Sequence, residues 1–433
     1  GRCICSERAA APRCRKPDRG LVHSLRKLVQ AILTSVMLPL LFALRLFSRI
    51  FRVRTFMTHQ QLFGHLALEP TKYLAAEDLK IGLHEIGFDG EKIPSNISVT
   101  LDHDPHGRYV DLWSFSNADG RANKQLVKMW KREVRSIPSW LMSALLTANK
   151  RLKKPAIIDY RFSTLVSVDR YLDGTKSHLA FSSTERIEAQ SALRKMGIDI
   201  DRPFVCLVAR HGGEHDSSLR NRSIEDFESS VEALTQRGII VVRMGSKDSP
   251  PLRSLSPIVI DYANSEHKSE LVDIYLLAHC HFIISTMSGP DAMALAFRRP
   301  ALYIDIAHYS LCFTGSALTT WTPAKIVHET TKQPLSLCEV FESKAGYFWK
   351  DSQFASAGLE VLRSTPDEIR NYVMEMVDRQ STTADAPGSL MQVEYRKVMT
   401  EAMGELGQLW HGEIRSQIPE CFLDQNADWL LRQ

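Results

Sequence analysis

The chain has 433 residues, of which 44% are hydrophobic and 24% are charged, so it can form two folded domains and is not a disordered protein. Its net charge of +4 is uneven, because residues 1–54 carry twelve Lys/Arg and two Asp/Glu, a net +10 that leaves −6 for the remaining 379 residues. An acidic body argues against a nucleic-acid-binding protein, whose folded surface would be basic. The eight cysteines are scattered, which implies no disulfide framework and fits a reducing cytosol.

The first element along the chain is an apolar segment, residues 28–44, that contains no charged residue and is interrupted by Pro39. Its 17 residues are few for a spanning helix, which needs about 20, and basic residues flank it on both sides. We therefore predict attachment to a membrane through residues 21–54, in either a spanning or an interfacial form. The flanking cations disfavour a buried core helix. The expected location is the cytoplasmic face of the inner (plasma) membrane.

The next region, residues 55–195, is predicted to be an α/β domain. Its sequence patterns are weaker than those of the C-terminal half. A first strand is expected over 52–58, followed by a loop that contains Gly64 and His65 and by a helix. A strand, a glycine-containing turn and a helix start form a plausible ligand loop, although His65 could equally cap or pack against the helix. A second strand is expected over 96–101, before Asp102-His103-Asp104. That cluster could bind a metal ion, but solvated turn residues are favoured.

The pattern is clearer over residues 196–380. Short apolar runs predict five buried strands, and helical stretches separate them; the strands are 204–209, 239–242, 258–260, 282–285 and 301–304. Alternation of this kind predicts βαβ units and a parallel sheet. Ser223, with Asp226 three residues later, resembles a capping box at the start of the first of these helices.

Polar residues stand where these strands end. Ligands of parallel sheets bind outside the carboxyl ends of the strands, and arginines and free N–H groups at a helix start attract phosphate. We therefore predict a phosphate-bearing ligand at this edge. The candidate donor-binding residues are Arg210, Arg243, Gly245, Asp261, Ser285, Thr286, Ser288 and Gly289. Neither GxxxxGK[ST] nor GxGxxG occurs, so the sequence indicates neither a P-loop ATPase nor a dinucleotide enzyme.

Several sequence blocks carry a resemblance to a known family. The block IDYANSEHKSELVDIYLLAHCHFIISTMSGP (260–290) is the most specific, and GHLALEP (64–70), ANKQLVKMWKR (122–132), VVRMG (241–245) and GLEVLRSTPDEI (358–369) accompany it. On these blocks the chain resembles a poorly characterised bacterial glycosyltransferase family, often tied to surface-polysaccharide loci, with a GT-B-like fold. Arg210 is similar in position to the strand-end arginine of fucosyltransferase-like enzymes. Leu62-Phe63 precede Gly64 where such proteins commonly have an arginine.

The resemblance implies an α/β fold in which two Rossmann-like domains face a cleft, preceded by the membrane-associated helix of residues 1–54. Residues 55–195 would be the acceptor domain and residues 196–380 the donor domain. No metal and no cofactor would be needed. Residues 381–433 would form a linker and a helical tail that crosses back to the first domain or makes a dimer contact.

The function implied is transfer of a sugar from a nucleotide-diphosphate-sugar donor to a membrane-proximal glycan or lipid-linked acceptor. His65 and Glu69 are the candidate catalytic residues, since a base must deprotonate the acceptor hydroxyl, although a capping His and a solvated Glu are the alternative. Two other functions stay open: a non-catalytic scaffold in a polysaccharide assembly complex, and a sugar-nucleotide epimerase. The donor sugar, its nucleotide, the acceptor and the stereochemistry stay open as well.

Overall fold

A computed structural model describes residues 19–58, 62–80, 108–115, 123–161, 172–212, 218–247, 249–254, 256–381 and 389–431. These residues form two parallel sheets with helices around them, so the predicted α/β class is confirmed. The predicted strand over 96–101 and the Asp102-His103-Asp104 cluster lie outside the described residues.

The N-terminal sheet has the parallel order β2-β1-β3. Its strands are β1 (Arg52–Met57), β2 (Tyr109–Ser114) and β3 (Ile157–Arg161). The predicted boundary after residue 54 falls inside β1. The sheet is accompanied by four helices, α1 (Arg19–Leu46), α2 (Phe63–Asp78), α3 (Lys124–Glu133) and α4 (Ser139–Asn149). Asn123 caps α3 by accepting a hydrogen bond from the Leu126 N–H at 2.7 Å.

The C-terminal sheet has six parallel strands in the order β6-β5-β4-β7-β8-β9. The strands are β4 (Phe204–Val208), β5 (Ile240–Arg243), β6 (Val259–Ile260), β7 (Ile283–Ser285), β8 (Ala301–Ile306) and β9 (Thr319–Pro323). Every residue of β4, β5, β7, β8 and β9 is buried, which explains why β4, β5, β7 and β8 are mostly apolar. The sequence predicted five of the six strands and missed β9.

Helices between these strands accompany the sheet, as in βαβ units. They are α6 (Glu228–Gln236), α7 (Glu270–His279) and α8 (Asp291–Ala296), and α5 (Ser183–Lys195) precedes β4. The capping box expected at Ser223 is not formed. The Ser223 hydroxyl accepts from the Glu225 N–H at 3.3 Å and begins a 3-10 turn over Ile224–Phe227, after which α6 starts. Asp226 is instead paired with Arg222 at 2.7 Å.

The remaining elements complete the C-terminal half. They are the antiparallel pair β10 (Lys325–His328) and β11 (Leu359–Leu362), and the helices α9 (Leu337–Glu342), α10 (Asp351–Ser356), α11 (Pro366–Ser381), α12 (Leu390–His411), α13 (Glu420–Gln425) and α14 (Ala427–Leu431). Helix α12 packs on the C-terminal half: the Trp321 indole N–H in β9 donates to the Tyr395 hydroxyl at 2.8 Å. The buried polar partner of α12 thus lies in the six-stranded sheet, while the expected crossing of the tail to the first domain, or its dimer contact, stays a prediction.

Contacts between described residues join the two halves at several places, among them the following three. The Glu270 carboxylate at the start of α7 accepts the Lys124 N–H at 2.9 Å and so caps α3. The Arg298 side chain donates to the Leu172 carbonyl at 2.7 Å. At the third junction, a Cβ added to Gly64 would lie 3.4 Å from the Gly289 Cα. An added Cβ would thus be in van der Waals contact with the facing backbone, so α2 and the loop after β7 approach closely at this junction.

Candidate functional site

The C-terminal sheet has a topological switch point between β4 and β7. From β4 the chain continues to β5 and β6 on one side, whereas from β7 it continues to β8 and β9 on the other. Because the strands are parallel, their carboxyl ends share one edge. Ligands of open α/β sheets bind in the crevice outside those ends, at the point where the strand order reverses. We call the space outside the ends of β4 and β7 the switch-point crevice.

Two predicted donor-binding residues meet at this crevice. The Arg210 N–H, two residues beyond β4, donates to the Thr286 hydroxyl just beyond β7 at 3.2 Å. Thr286 and Ser285 are buried, whereas Arg210 is half-buried. The structure therefore brings the two strand ends together through the backbone of Arg210 and the side chain of Thr286. A donor contact through the Arg210 guanidinium stays a prediction.

The loop after β7 differs from expectation at the helix start. The Asp291 carboxylate accepts the Ser288 N–H at 2.6 Å, so this backbone donor is already bonded. Helix α8 is also only six residues long. Free N–H groups were predicted to hold phosphate here, and the structure supplies a carboxylate to Ser288 instead. The half-buried Gly289 follows, in contact with Gly64.

Asp291 itself is a residue that sequence reasoning missed. Its side chain is 2% exposed. Burial raises the pKa of Asp291 from the ordinary 3.8 to about 7, against the opposing influence of the Ser288 N–H and the Arg220 charge. A buried acid that titrates near neutral pH beside a crevice is a common feature of functional sites. Its signal in the sequence was an acidic residue directly after Ser288-Gly289-Pro290.

Arg220 is a second missed residue. Its guanidinium donates to the Met287 carbonyl at 3.4 Å, and its charge acts on Asp291. Met287 is a non-glycine residue with φ of 59°. Backbone conformations of this kind cost roughly 1–3 kcal/mol and cluster at functional sites. Arg220 thus places a cationic side chain at the loop after β7, and Arg210 bonds the same loop through its backbone N–H.

The structure does not bring Arg243 into the crevice. Its side chain is 1% exposed, and it donates to Asp261 at 3.3 Å and to the Pro250 carbonyl at 2.6 Å. Burial lowers the pKa of Arg243, and the Asp261 charge acts in the opposite direction. Gly245 lies against the same guanidinium, with its Cβ position 3.6 Å from the Arg243 Cζ. These three predicted donor-binding residues form a packed unit that orders the loop after β5, so a ligand contact through Arg243 would have to break bonds made here.

The predicted catalytic pair does form. His65 Nδ1 lies 2.8 Å from Glu69 Oε1 across one turn of α2. The His65 side chain is 45% exposed and that of Glu69 only 6%, so the ring faces solvent while the carboxylate is anchored in the fold. His65 directly follows Gly64, whose Cβ position lies 3.4 Å from the Gly289 Cα. The pair and the switch-point crevice therefore lie on the two sides of one junction.

A metal site does not emerge from the described part of the chain, where no three His, Cys, Asp or Glu side chains group closely enough to hold an ion. The predicted metal independence stays a prediction. The described cysteines 206, 280, 312, 338 and 421 are all free thiols.

Arg222 and Asp305 form a further buried ion pair at the end of β8 that also binds the Ser364 backbone. That pair ties β8 to the segment before α11.

Comparisons with known proteins place no family on the chain. No protein-family model matches it, and no curated protein sequence matches it. Solved structures that resemble it include ADP-heptose lps heptosyltransferase II from E. coli, at 12% identity and TM-score 0.33, covering 58% of this chain and 85% of that one. A glycosyl transferase family 9 protein from Veillonella parvula DSM 2008 has 11% identity and TM-score 0.35, covering 58% and 80%.

A third resemblance is to the iron-containing dodecameric glycosyltransferase TibC of enterotoxigenic E. coli, at 13% identity and TM-score 0.28, covering 60% of this chain and 59% of that one. Scores and identities this low do not establish a shared fold or activity. The functional argument therefore rests on the residues of this chain.

Proposed function

We propose that the protein is a glycosyltransferase of GT-B type that moves a sugar from a nucleotide-diphosphate-sugar to a membrane-proximal glycan or lipid-linked acceptor. The observation that carries the proposal is the Gly64–Gly289 junction. It joins α2, where a buried carboxylate holds His65, to the loop after β7, which accepts hydrogen bonds from the Arg210 backbone and the Arg220 side chain. A base on one half and a cationic anion-binding crevice on the other are what transfer from a diphosphate donor requires.

The donor diphosphate would bind Arg210 and Arg220, whose positive charges stabilise the negative charge that develops on the leaving group. Guanidinium groups suit this task because they offer several N–H donors to phosphate oxygens. The loop Thr286–Gly289 would line the donor side. Arg243, Gly245 and Asp261 would shape the neighbouring loop without touching the donor.

The proton chemistry follows from the His65–Glu69 pair. When Glu69 accepts the Nδ1–H bond, the lone pair of the imidazole is on Nε2, which can take a proton. The acceptor oxygen would then attack the anomeric carbon, the bond from that carbon to the diphosphate oxygen would break, and the hydroxyl proton would pass to Nε2 of His65. Glu69 would hold the ring and stabilise the imidazolium that forms.

The proposed reaction takes place at a membrane. The acceptor would be reached at the cytoplasmic face of the inner membrane, to which residues 21–54 would attach the chain. Donor transfer would need neither metal nor cofactor. A non-catalytic scaffold is the alternative of another class, and the absence of the family's common arginine before Gly64 favours it. An epimerase is a further alternative, disfavoured by the apolar helix.

Thermal denaturation of the full chain with nucleoside diphosphates and their sugars tests the binding half of the proposal. We expect the wild type to be stabilised by at least one nucleotide, and Arg210→Ala to lose that shift. Arg237→Ala removes an arginine whose side chain is 48% exposed and paired with Asp378, and serves as the control that keeps the shift. No shift with any nucleotide would favour the scaffold.

A further inference from the structure

Helix α1 presents apolar side chains on two faces. Met37, Leu38, Leu41 and Leu44 pack with α4 and the N-terminal sheet. Other apolar side chains of this segment are open to solvent: Val29, Ile32, Val36, Leu40 and Phe42 of α1, and Phe47 directly after it, are between 47% and 60% exposed. A stripe of large exposed side chains of this length marks an interaction surface. We call these six residues the outer stripe.

The packed face limits how α1 can meet a bilayer. Contact with the folded domain runs from the buried Thr34 to Leu44, which is most of the uncharged segment 28–44. The part of that segment before Thr34 has six residues and would span about 9 Å. A bilayer core is roughly 30 Å thick. The uncharged part of the helix that precedes the packed face is therefore too short to cross while the rest stays packed on the domain.

A cationic run lies beside the helix. Lys150, Arg151, Lys153 and Lys154 follow α4 and are exposed, and Leu152 between them packs in the same apolar cluster as Leu41. Arg45, Arg49 and Arg52 at the end of α1 are exposed as well. Residues 29–58 and 139–156 contain no Asp or Glu. Trp140, at the other end of α4, is 53% exposed, and tryptophan is enriched at membrane interfaces.

We infer that α1 lies flat in the surface of an anionic bilayer, with the outer stripe among the acyl chains and Lys150–Lys154 bound to acidic headgroups. The inference rests on the membrane attachment proposed above, but not on sugar transfer. Apolar burial and attraction of cations to acidic lipids are the two forces that hold an interfacial helix. The rest of the chain carries a net negative charge, which acidic lipids repel. The basic face beside α1 is therefore the part of the protein that they attract.

Sedimentation of the full chain with vesicles tests the inference. We expect binding to phosphatidylcholine vesicles that contain about 30% phosphatidylglycerol, and at least tenfold weaker binding to phosphatidylcholine alone. The triple variant Lys150→Gln, Lys153→Gln, Lys154→Gln should bind acidic vesicles on the order of a hundredfold more weakly at low salt. The matched control removes three exposed charges from α5, in Arg186→Gln, Arg194→Gln, Lys195→Gln, and should bind like the wild type. Equal losses in the two variants would overturn the role of Lys150–Lys154.

The outer stripe has its own pair of variants. Val36→Glu should weaken vesicle binding at least tenfold, whereas Ile187→Glu, at an apolar residue 65% exposed on α5, should not. Alkaline carbonate should release the wild type from vesicles, because an interfacial helix is extractable and a spanning helix is not. Retention in the pellet would overturn the interfacial mode. A dimer that forms without lipid and is abolished by Val36→Glu would instead assign the stripe to a second copy. Nucleotide binding should be the same in all these variants, so its failure would concern the catalytic proposal alone.

Discussion

Replacing Asp291 by Asn should change how the stability of the protein depends on pH. Burial raises the pKa of Asp291 from 3.8 to about 7 in the folded protein. The folded state therefore holds this proton more tightly than the unfolded chain, and stability is lost as pH rises from about 4 to about 7. Between pH 5 and pH 8 the wild type should lose about 3 kcal/mol through this group, at ~1.4 kcal/mol for each pKa unit.

The asparagine side chain introduced by Asp291→Asn cannot titrate, and its amide oxygen can still accept the Ser288 N–H, so this variant should lack the loss. Urea unfolding of both proteins at pH 5 and pH 8 measures the difference. The variant should gain stability relative to the wild type as the pH increases. Asp201→Asn, at an exposed residue before β4, controls for the loss of one negative charge. Parallel pH profiles for the wild type and Asp291→Asn would refute the argument.

Substitutions at three further positions test the junction and the site. Gly64→Ala should be tolerated, since its Cβ would lie 3.4 Å from the Gly289 Cα, whereas Gly64→Val should lower the unfolding free energy by roughly 1–3 kcal/mol, seen as a lower urea midpoint. Arg243→Ala should lower the free energy of unfolding by about 3 kcal/mol, because it leaves Asp261 without its cation. If the variant instead loses donor binding while its urea midpoint is unchanged, Arg243 is a ligand contact. Glu69→Gln should lower turnover roughly 10–100-fold with donor affinity unchanged, and normal turnover would remove this residue from the mechanism.

Most of the C-terminal sheet could be predicted because its strands are buried on both faces and read as continuous apolar runs. The strand β2 was missed because Tyr109–Ser114 is neither strictly alternating nor continuously apolar, and four of its six residues are only partly buried. The strand β9 was missed because Thr319, Thr320 and Thr322 are polar by type yet buried in the sheet. Local residue type does not report burial that the rest of the fold creates.

Some residues of the candidate site could be predicted from the sequence, and others could not. The His65–Glu69 pair was predictable because i, i+4 spacing on a helix brings two side chains together. Arg210 and Arg243 look alike in sequence, since each follows or ends a buried strand. What separates them is Asp261, which lies 18 residues away and pairs with Arg243. Arg220 and Asp291 were missed because their proximity depends on the way the loops after β4 and β7 fold together.

Release of a nucleoside diphosphate from nucleotide-sugar donors tests the central claim most directly. The full chain is incubated with a panel of UDP-, GDP-, ADP- and dTDP-sugars and with lipid-linked glycan acceptors in acidic vesicles. We predict acceptor-dependent release of one nucleoside diphosphate by the wild type, no detectable release by His65→Ala, and no donor binding by Arg210→Ala. A wild-type protein that binds none of the donors at millimolar concentration and releases no nucleotide would contradict the account.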